Sequence, residues 1–484
     1  MHKLIKLSRK FASLYTPADK LNHKSLSAAD LSYFESILPK SGIIQADLSS
    51  HNTDYIGIFK GESTLMLKPT NVEQVQAIIK YCKQERLPIC PQGGNTGLVG
   101  GSVPVFDEII LNTSQMNNIF DFDENQGIVA CQSGTILDAL SNYAEERGFV
   151  VPLDLGAKGS CFIGGNISTN AGGNRFIRYK SLHETTIGLE VVTGNGDILN
   201  TMDYPSRKKA AIDFHHLFIG SEGTLGVITA AKIQLSPKPT SQNVAFLACN
   251  NFDDILKILG LARKFLGEIL SAFEMMDKQS YNLVSAYIPR FKKPFEKSYG
   301  FYVLVETLGI NQTHDKEKME IFIENCMKMC ALDGIVCRDL KQMLDLWNIR
   351  ENCGPAAARA GYCFKFDIST PHALYYKTVE DVREIVGDDG ITIGFGHIAD
   401  CNLHINIAVP KEIAKNVGER VNNFLFEYLQ KISGSVSAEH GIGLQKKDKL
   451  KYARTSEEIE IMRRIKKAYD PAGILNPYKV LTIK

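Results

Sequence analysis

Residues 155–182 read LGAKGSCFIGGNISTNAGGNRFIRYKSL, a run too rich in glycine and small polar residues for an ordinary connection. Gly164, Gly165, Gly172 and Gly173 are interleaved with Ser160, Ser168, Thr169 and Asn170, a dense set of small donors and acceptors with little bulk. A structural turn does not need so long a loop, and long loops inside compact domains are usually functional.

Upstream, PQGGNTGLVGGSVP spans 91–104. Gly93, Gly94, Gly97, Gly100 and Gly101 leave backbone amides uncovered. Such a loop lets the chain approach a pyrophosphate closely and offer it N–H donors. A strand-like run precedes it, but SVPVFDEIILN follows in place of a helix, which disfavours a nicotinamide Rossmann site. No Lys-Ser/Thr closes the loop, which disfavours an NTPase. On this segment alone, a glycine-rich β-turn loop is as good a reading as a phosphate cradle. A third set, IGSEGTLGVIT at 219–229, repeats the composition.

The chain has 484 residues, 44% hydrophobic and 23% charged, which fits two to three ordinary globular domains. A net charge of +1 implies no broad basic surface for nucleic acid. No apolar run approaches the ~20 residues of a membrane span. Eleven cysteines, an odd number without Cys-x-x-Cys, argue against a disulfide framework or a four-thiolate zinc site and for a reducing compartment. Near the start, Lys3, Lys6, Arg9 and Lys10 alternate with Leu4, Ile5, Leu7 and Phe11, and no acid precedes Asp19. That pattern reads as a mitochondrial presequence, with a basic tail as the alternative.

Val72, Val75, Ile78, Ile79 and Cys82 recur at helical spacing. EIILN and IVACQ read as strands, 135–147 as a helix, and Asn195-Gly196 as a hairpin turn. SPKPTSQN at 236–243 is the clearest linker. After it, strands alternate with helices over 252–266 and 314–331, which predicts a mixed sheet with helices on one side. The resulting divisions are a targeting segment 1–23, domains 24–238 and 239–433, and a C-terminal segment 434–484.

The three glycine loops in this order, with DPAGILNPYK at 470–479, resemble the vanillyl-alcohol oxidase / p-cresol methylhydroxylase family, in its D-2-hydroxyacid dehydrogenase branch. The resemblance runs from about residue 40 to the C-terminus. It implies an α+β fold: a two-subdomain PCMH-type FAD-binding domain, a substrate domain whose mixed or antiparallel sheet is covered by helices, and a C-terminal segment returning to the flavin. It places Gly93, Gly94, Asn95, Thr96 and Gly97 at the FAD pyrophosphate. Pro152, Gly156, Ser160, Gly164 and Asn166 would follow the cofactor, as would Ser168, Thr169, Gly173, Ile228 and Asn476. Relatives that attach flavin covalently often use a His in the first loop; Asn95 stands there in this chain, so FAD is expected to be dissociable.

GHIADCNLHIN, 396–406, carries a second chemistry. If Ala399–Asn402 form a tight turn, Ile398 faces Leu403 and His397 faces His404 across a hairpin, with Asn406 on the same face. Two imidazoles so placed can bind one metal ion; two half-buried histidines bonded to carbonyls are the alternative. Glu439 in SVSAEHGIG would complete a His2Glu set with an open position. Glu439 and His440 can reach one site if the chain bends, which Gly441 and Gly443 permit. The resemblance implies His397, His404 and Glu439 as ligands of a divalent metal, zinc foremost, with Asn406 and His440 facing substrate and His440 as catalytic base.

Arg350 and Lys365 are cations in or beside apolar stretches, suited to two carboxylates, or else to ordinary surface ion pairs. The resemblance implies that they grip (R)-2-hydroxyglutarate. The implied reaction is metal-assisted hydroxyl deprotonation with hydride transfer to flavin N5, giving 2-oxoglutarate. Electrons would pass to electron-transfer flavoprotein, in the mitochondrial matrix. A flavin D-lactate or broader D-2-hydroxyacid dehydrogenase is the alternative, and a homodimer is the assembly considered. Two departures stand out. Gly354 occupies a position where relatives carry Thr, and Ala399-Asp400-Cys401-Asn402 replaces their Gly-Asp-Gly-Asn. If the first of those turn positions needs positive φ, Ala399 is strained.

Overall fold

Backbone contacts divide the chain into two units, Met1–Gly173 with Lys180–Lys238 and His440–Lys484, and Asn174–Tyr179 with Pro239–Glu439. The computed structural model describes residues 20–203, 212–289 and 291–482, so residues 1–19 of the expected targeting segment lie outside the described residues. Among the described residues no helix is long and apolar enough to cross a membrane.

In the first unit, the helical spacing found from Val72 becomes helix Val72–Glu85. Asn71 caps it by accepting from the Gln74 amide, Val75, Ile78, Ile79 and Cys82 are buried, and Arg86 ends it in the left-handed region. That apolar stripe packs with Ile89, Ile109 and Leu111 in one core. A four-stranded sheet runs Ile43–Ile44, Met66–Leu67, Ile109–Asn112, Ile89–Gln92. Its first pair is antiparallel and the other two are parallel. The strand Ile89–Gln92 thus delivers the first glycine loop at its C-terminal end. A five-stranded antiparallel sheet contains Ile128–Gln132, Gly226–Gln234 and Thr186–Thr193. The Asn195-Gly196 turn is present: Gly196 has φ 84° and the Thr193 amide donates to Asp197 O at 3.0 Å.

The second unit is built on a seven-stranded sheet in the order Asp333–Val336, Ser241–Cys249, Phe301–Gly309, Leu270–Asp277, Ile391–Gly396, Asn402–Val409, Tyr362–Ser369. Every pair is antiparallel, so the mixed sheet expected from the alternation of strands and helices is not formed. Helices cover both faces, not one. On one face Phe246, Tyr302, Leu304 and Phe395 share a core with Tyr281, Leu346 and Ala357. On the other, a Cβ on Gly394 would meet Val379 of helix Tyr375–Val386 at 2.6 Å. This explains why Phe301–Gly309 shows no alternation: all nine residues are buried.

Candidate functional site

In the first unit the glycine loops line a cavity. Gly93, Gly94, Asn95, Thr96 and Gly97 border it, joined by Gly164, Asn166, Ser168, Thr169 and Ile228. Ser160 borders an adjoining cavity with Gly93, Gly94 and Asn95. Pro152, Gly156, Gly173 and Asn476 line neither. Asn476 acts from behind: its Nδ2 donates to Glu222 O at 2.8 Å and Gly101 O at 3.4 Å, tying the tail to two of the loops. Gly94 is where the first two loops touch, since a Cβ there would lie 1.9 Å from Ser160 O. Asn95 has φ 53°, which asparagine tolerates, and its side chain is committed to Ser50 O, Thr53 O and Ser102 Oγ.

Glu222 was not singled out by the sequence. It sits in the third loop at φ 52° and lines the same cavity as His440. Its carboxylate oxygens accept the amides of Ile442 and Gly443, both at 2.7 Å. Gly441 and Gly443 have φ 84° and 49°, the bend foreseen after His440. Burial pushes the Glu222 carboxyl up, with the two amides working against it. A cavity walled by glycines and backbone amides, with one side chain's width reserved at Gly94, fits a dinucleotide cofactor.

In the second unit the histidine run forms differently from the expected turn. Phe395, not His397, pairs with His404, so the register is shifted by two and His397 lies beyond the strand end. A shift of two keeps the face of a strand, because side chains alternate with period two. The rings of His397 and His404 therefore still meet, 5.4 Å between centroids. The turn is a 3-10 segment Ile398–Asp400 closed by Cys401 at φ 68°. The positive φ falls on Cys401, while Ala399 stays inside the 3-10 turn. A left-handed non-glycine residue costs roughly 1 kcal/mol.

 Ala399 needs no positive φ, so the strain expected there is absent.

Glu439 joins the pair. His404 Nε2 and His397 Nε2 lie 3.5 and 3.9 Å from Glu439 Oε1, and the three ligand atoms fall within 4.8 Å of one another. Two imidazoles and a carboxylate at this spacing suit a divalent cation with an open position. Asp367, opposite His404 in the register, holds Glu439 in place: its Oδ2 accepts from Ser437 Oγ and the amides of Ala438 and Glu439 at 3.0–3.2 Å. Asn406 pairs directly with Lys365 on the neighbouring edge strand, so Lys365 shares the face of His404 and Asn406. Lys365 is exposed and Arg350 is buried.

Arg350 is not free of protein partners. Its Nε donates to Glu274 Oε2 at 2.6 Å, while His397 Nδ1 lies 2.5 Å from Glu274 Oε1. Burial works against the Glu274 charge, but Arg350 and His397 outweigh it and hold its pKa down to about 2. Burial likewise pulls His397 down, yet Glu274 and then Glu439 outweigh it and push its pKa up to about 9. Glu274 shares its otherwise largely apolar strand with Asp277, and nothing in the local sequence marks which partners it holds.

The first unit offers a glycine-walled cavity that fits a dinucleotide cofactor, and the second carries a His2Glu cluster with two nearby cations. Two family models match: an FAD binding domain over residues 64–202 and the C-terminal domain of FAD linked oxidases over 238–480. The mitochondrial D-2-hydroxyglutarate dehydrogenases of Arabidopsis thaliana and Danio rerio are both 45% identical. The matches cover 94% of this chain and 82% of the first relative, and 96% and 87% for the second. The D-2-hydroxyglutarate–pyruvate transhydrogenase of Saccharomyces cerevisiae is 39% identical, covering 95% of this chain and 96% of that one. The crystal structure of p-cresol methylhydroxylase, 14% identical, superimposes with a TM-score of 0.70 over 95% of this chain and 98% of that one, and shares the fold. The chain belongs to the D-2-hydroxyglutarate dehydrogenase family of FAD-linked oxidoreductases.

Proposed function

We propose that the protein oxidises (R)-2-hydroxyglutarate to 2-oxoglutarate in the mitochondrion, using dissociable FAD and a divalent metal, with zinc the foremost candidate. One observation carries this reading: a single sheet face presents His404, Asn406 and Lys365, with His397, Glu439 and Arg350 clustered around it. FAD supplies the hydride acceptor and the metal a Lewis acid for the C2 hydroxyl.

Arg350 and Lys365 bind the two carboxylates and fix which face of C2 reacts. Asn406 orients the substrate by hydrogen bonding. His440 takes the hydroxyl proton on a ring nitrogen. His397, His404 and Glu439 hold the metal, and the glycine loops hold FAD, with Asn95 making no covalent link. No nicotinamide loop is present, so the electrons leave by another carrier, for which we propose electron-transfer flavoprotein. The name of the yeast relative supports a second acceptor, pyruvate. Lactate formed from added pyruvate, against reduction of electron-transfer flavoprotein, separates the two.

A D-lactate or broader D-2-hydroxyacid dehydrogenase is the second reading. It is favoured by Gly354, which places no side chain beside Asn406, although a Cβ there would have ordinary contact at 3.6 Å. Lys365→Met tests the choice. A charge-assisted hydrogen bond contributes about 1.5–3 kcal/mol, so KM for D-2-hydroxyglutarate should rise roughly ten- to a hundredfold while KM for D-lactate changes little. Equal changes for both substrates would remove the two-anchor account.

A further inference from the structure

We propose that Glu274 is a positioning residue shared by the metal-binding histidine and the carboxylate-binding arginine, so that a single buried carboxylate sets both metal affinity and dicarboxylate affinity. The inference rests on the reading of His397 as a metal ligand and Arg350 as a substrate anchor.

Glu274 lies in the strand Leu270–Asp277, whose eight residues are all buried, and is itself 0% exposed. A carboxylate in so apolar a place persists only with partners for both oxygens. Each oxygen has one: Oε1 faces His397 Nδ1 at 2.5 Å and Oε2 accepts from Arg350 Nε at 2.6 Å. The first contact fixes the ring orientation and assigns Nδ1 as the donor nitrogen. Nε2 is thereby left as the ligating nitrogen, on the side of Glu439 and His404. The second contact uses Nε of the guanidinium; Nη2 approaches His397, and Nη1 is left for a substrate carboxylate. Arg350 Nη2 is 3.4 Å from His397 Nε2, so the anchor and the ligating nitrogen are immediate neighbours with a common support. The Arg350 guanidinium carbon also lies 5.0 Å from the Phe395 ring centroid, a cation–π contact that further restrains the side chain.

Glutamine at this position offers one acceptor oxygen and an NH2 group that cannot accept. It can serve the ring or the arginine, not both. In Glu274→Gln, zinc affinity measured by chelator competition should fall about ten- to a hundredfold with flavin content unchanged. KM for D-2-hydroxyglutarate, measured with saturating zinc, should rise at least about tenfold, the effect of weakening one charged contact. Glu274→Asp keeps the charge but is one methylene shorter, and serves if the glutamine variant does not fold. It should show the same pair of losses.

Asp277→Asn is the control. Asp277 is a second buried carboxylate on the same strand, bonded to Ser280, Arg383 and the Gly394 amide, so its loss reports general damage to the sheet. Losses of zinc affinity and of substrate affinity in folded Glu274 variants, absent in Asp277→Asn, support the proposal. Unchanged zinc affinity overturns it, as does a zinc effect without a KM effect or an equal effect in the control. A wild-type protein that takes up no zinc overturns the metal reading and this inference with it. That failure is visible before any variant is made.

Discussion

Replacing His404 by alanine is expected to abolish stoichiometric metal binding and to lower turnover by about a thousandfold or more, while the protein stays yellow. Three protein ligands hold the metal in the proposed site, and His404 Nε2 lies 3.5 Å from Glu439 Oε1 at its centre. Losing Lewis-acid help to a hydroxyl costs several kcal/mol of transition-state stabilisation, and each ~1.4 kcal/mol is tenfold in rate. The flavin should remain because the residues lining its cavity all belong to the first unit and His404 belongs to the second. Metal analysis and the flavin absorbance of the purified variant check both halves. Full activity without metal would end the metal account.

Gly94→Ala is the second large effect, and it falls on the cofactor. A Cβ at this position would lie 1.9 Å from Ser160 O, backbone against side chain, with no flexible atom to move aside. Opening the two loops enough to admit it costs about 1–3 kcal/mol by overpacking, at a residue that lines the cavity. FAD affinity should fall about five- to a hundredfold or more, and the variant should purify largely colourless. Gly156→Ala is the contrast: nothing lies within 4 Å of its added Cβ and it lines neither cavity, so FAD content should be unchanged. Titration of each apoprotein with FAD measures the difference. Equal affinities would mean that the close contact at Gly94 does not shape the cofactor site.

These two sites were legible in the sequence for different reasons. The flavin loops announce themselves by composition, because backbone approach to a pyrophosphate requires glycine and small polar residues. What composition does not give is distance from the cavity, and so Pro152, Gly156, Gly173 and Asn476 line neither cavity. The histidine pair was legible through parity. A register wrong by two residues still puts His397 and His404 on one face, whereas a slip of one would have separated them. The turn chemistry was half legible. Two unusual residues marked it, but only the backbone shows that Cys401, at φ 68°, carries the left-handed conformation in place of Ala399.

The supporting carboxylates were not legible. Glu274 and Asp367 lie in strands, far in sequence from the groups they hold, and only the folded chain brings Glu274 to His397 and Arg350, and Asp367 to the amides of Ala438 and Glu439. Glu222 stood in a quoted loop, but its role depends on amides of Ile442 and Gly443 that lie over two hundred residues away. The helices on the second face of the large sheet were missed for a related reason. Strands buried on both faces lose the alternation that would say which side is covered.

In the proposed mechanism bound flavin and a metal-held hydroxyl act together on a 2-hydroxydicarboxylate. The most direct measurement is anaerobic bleaching of the flavin by D-2-hydroxyglutarate, D-lactate and D-malate, each with and without a chelator. The account predicts rapid bleaching by D-2-hydroxyglutarate, slower bleaching by D-lactate, and loss of both after chelation with recovery on adding zinc. Bleaching by D-2-hydroxyglutarate that is unaffected by complete metal removal, or no bleaching by any of the three acids, would contradict it.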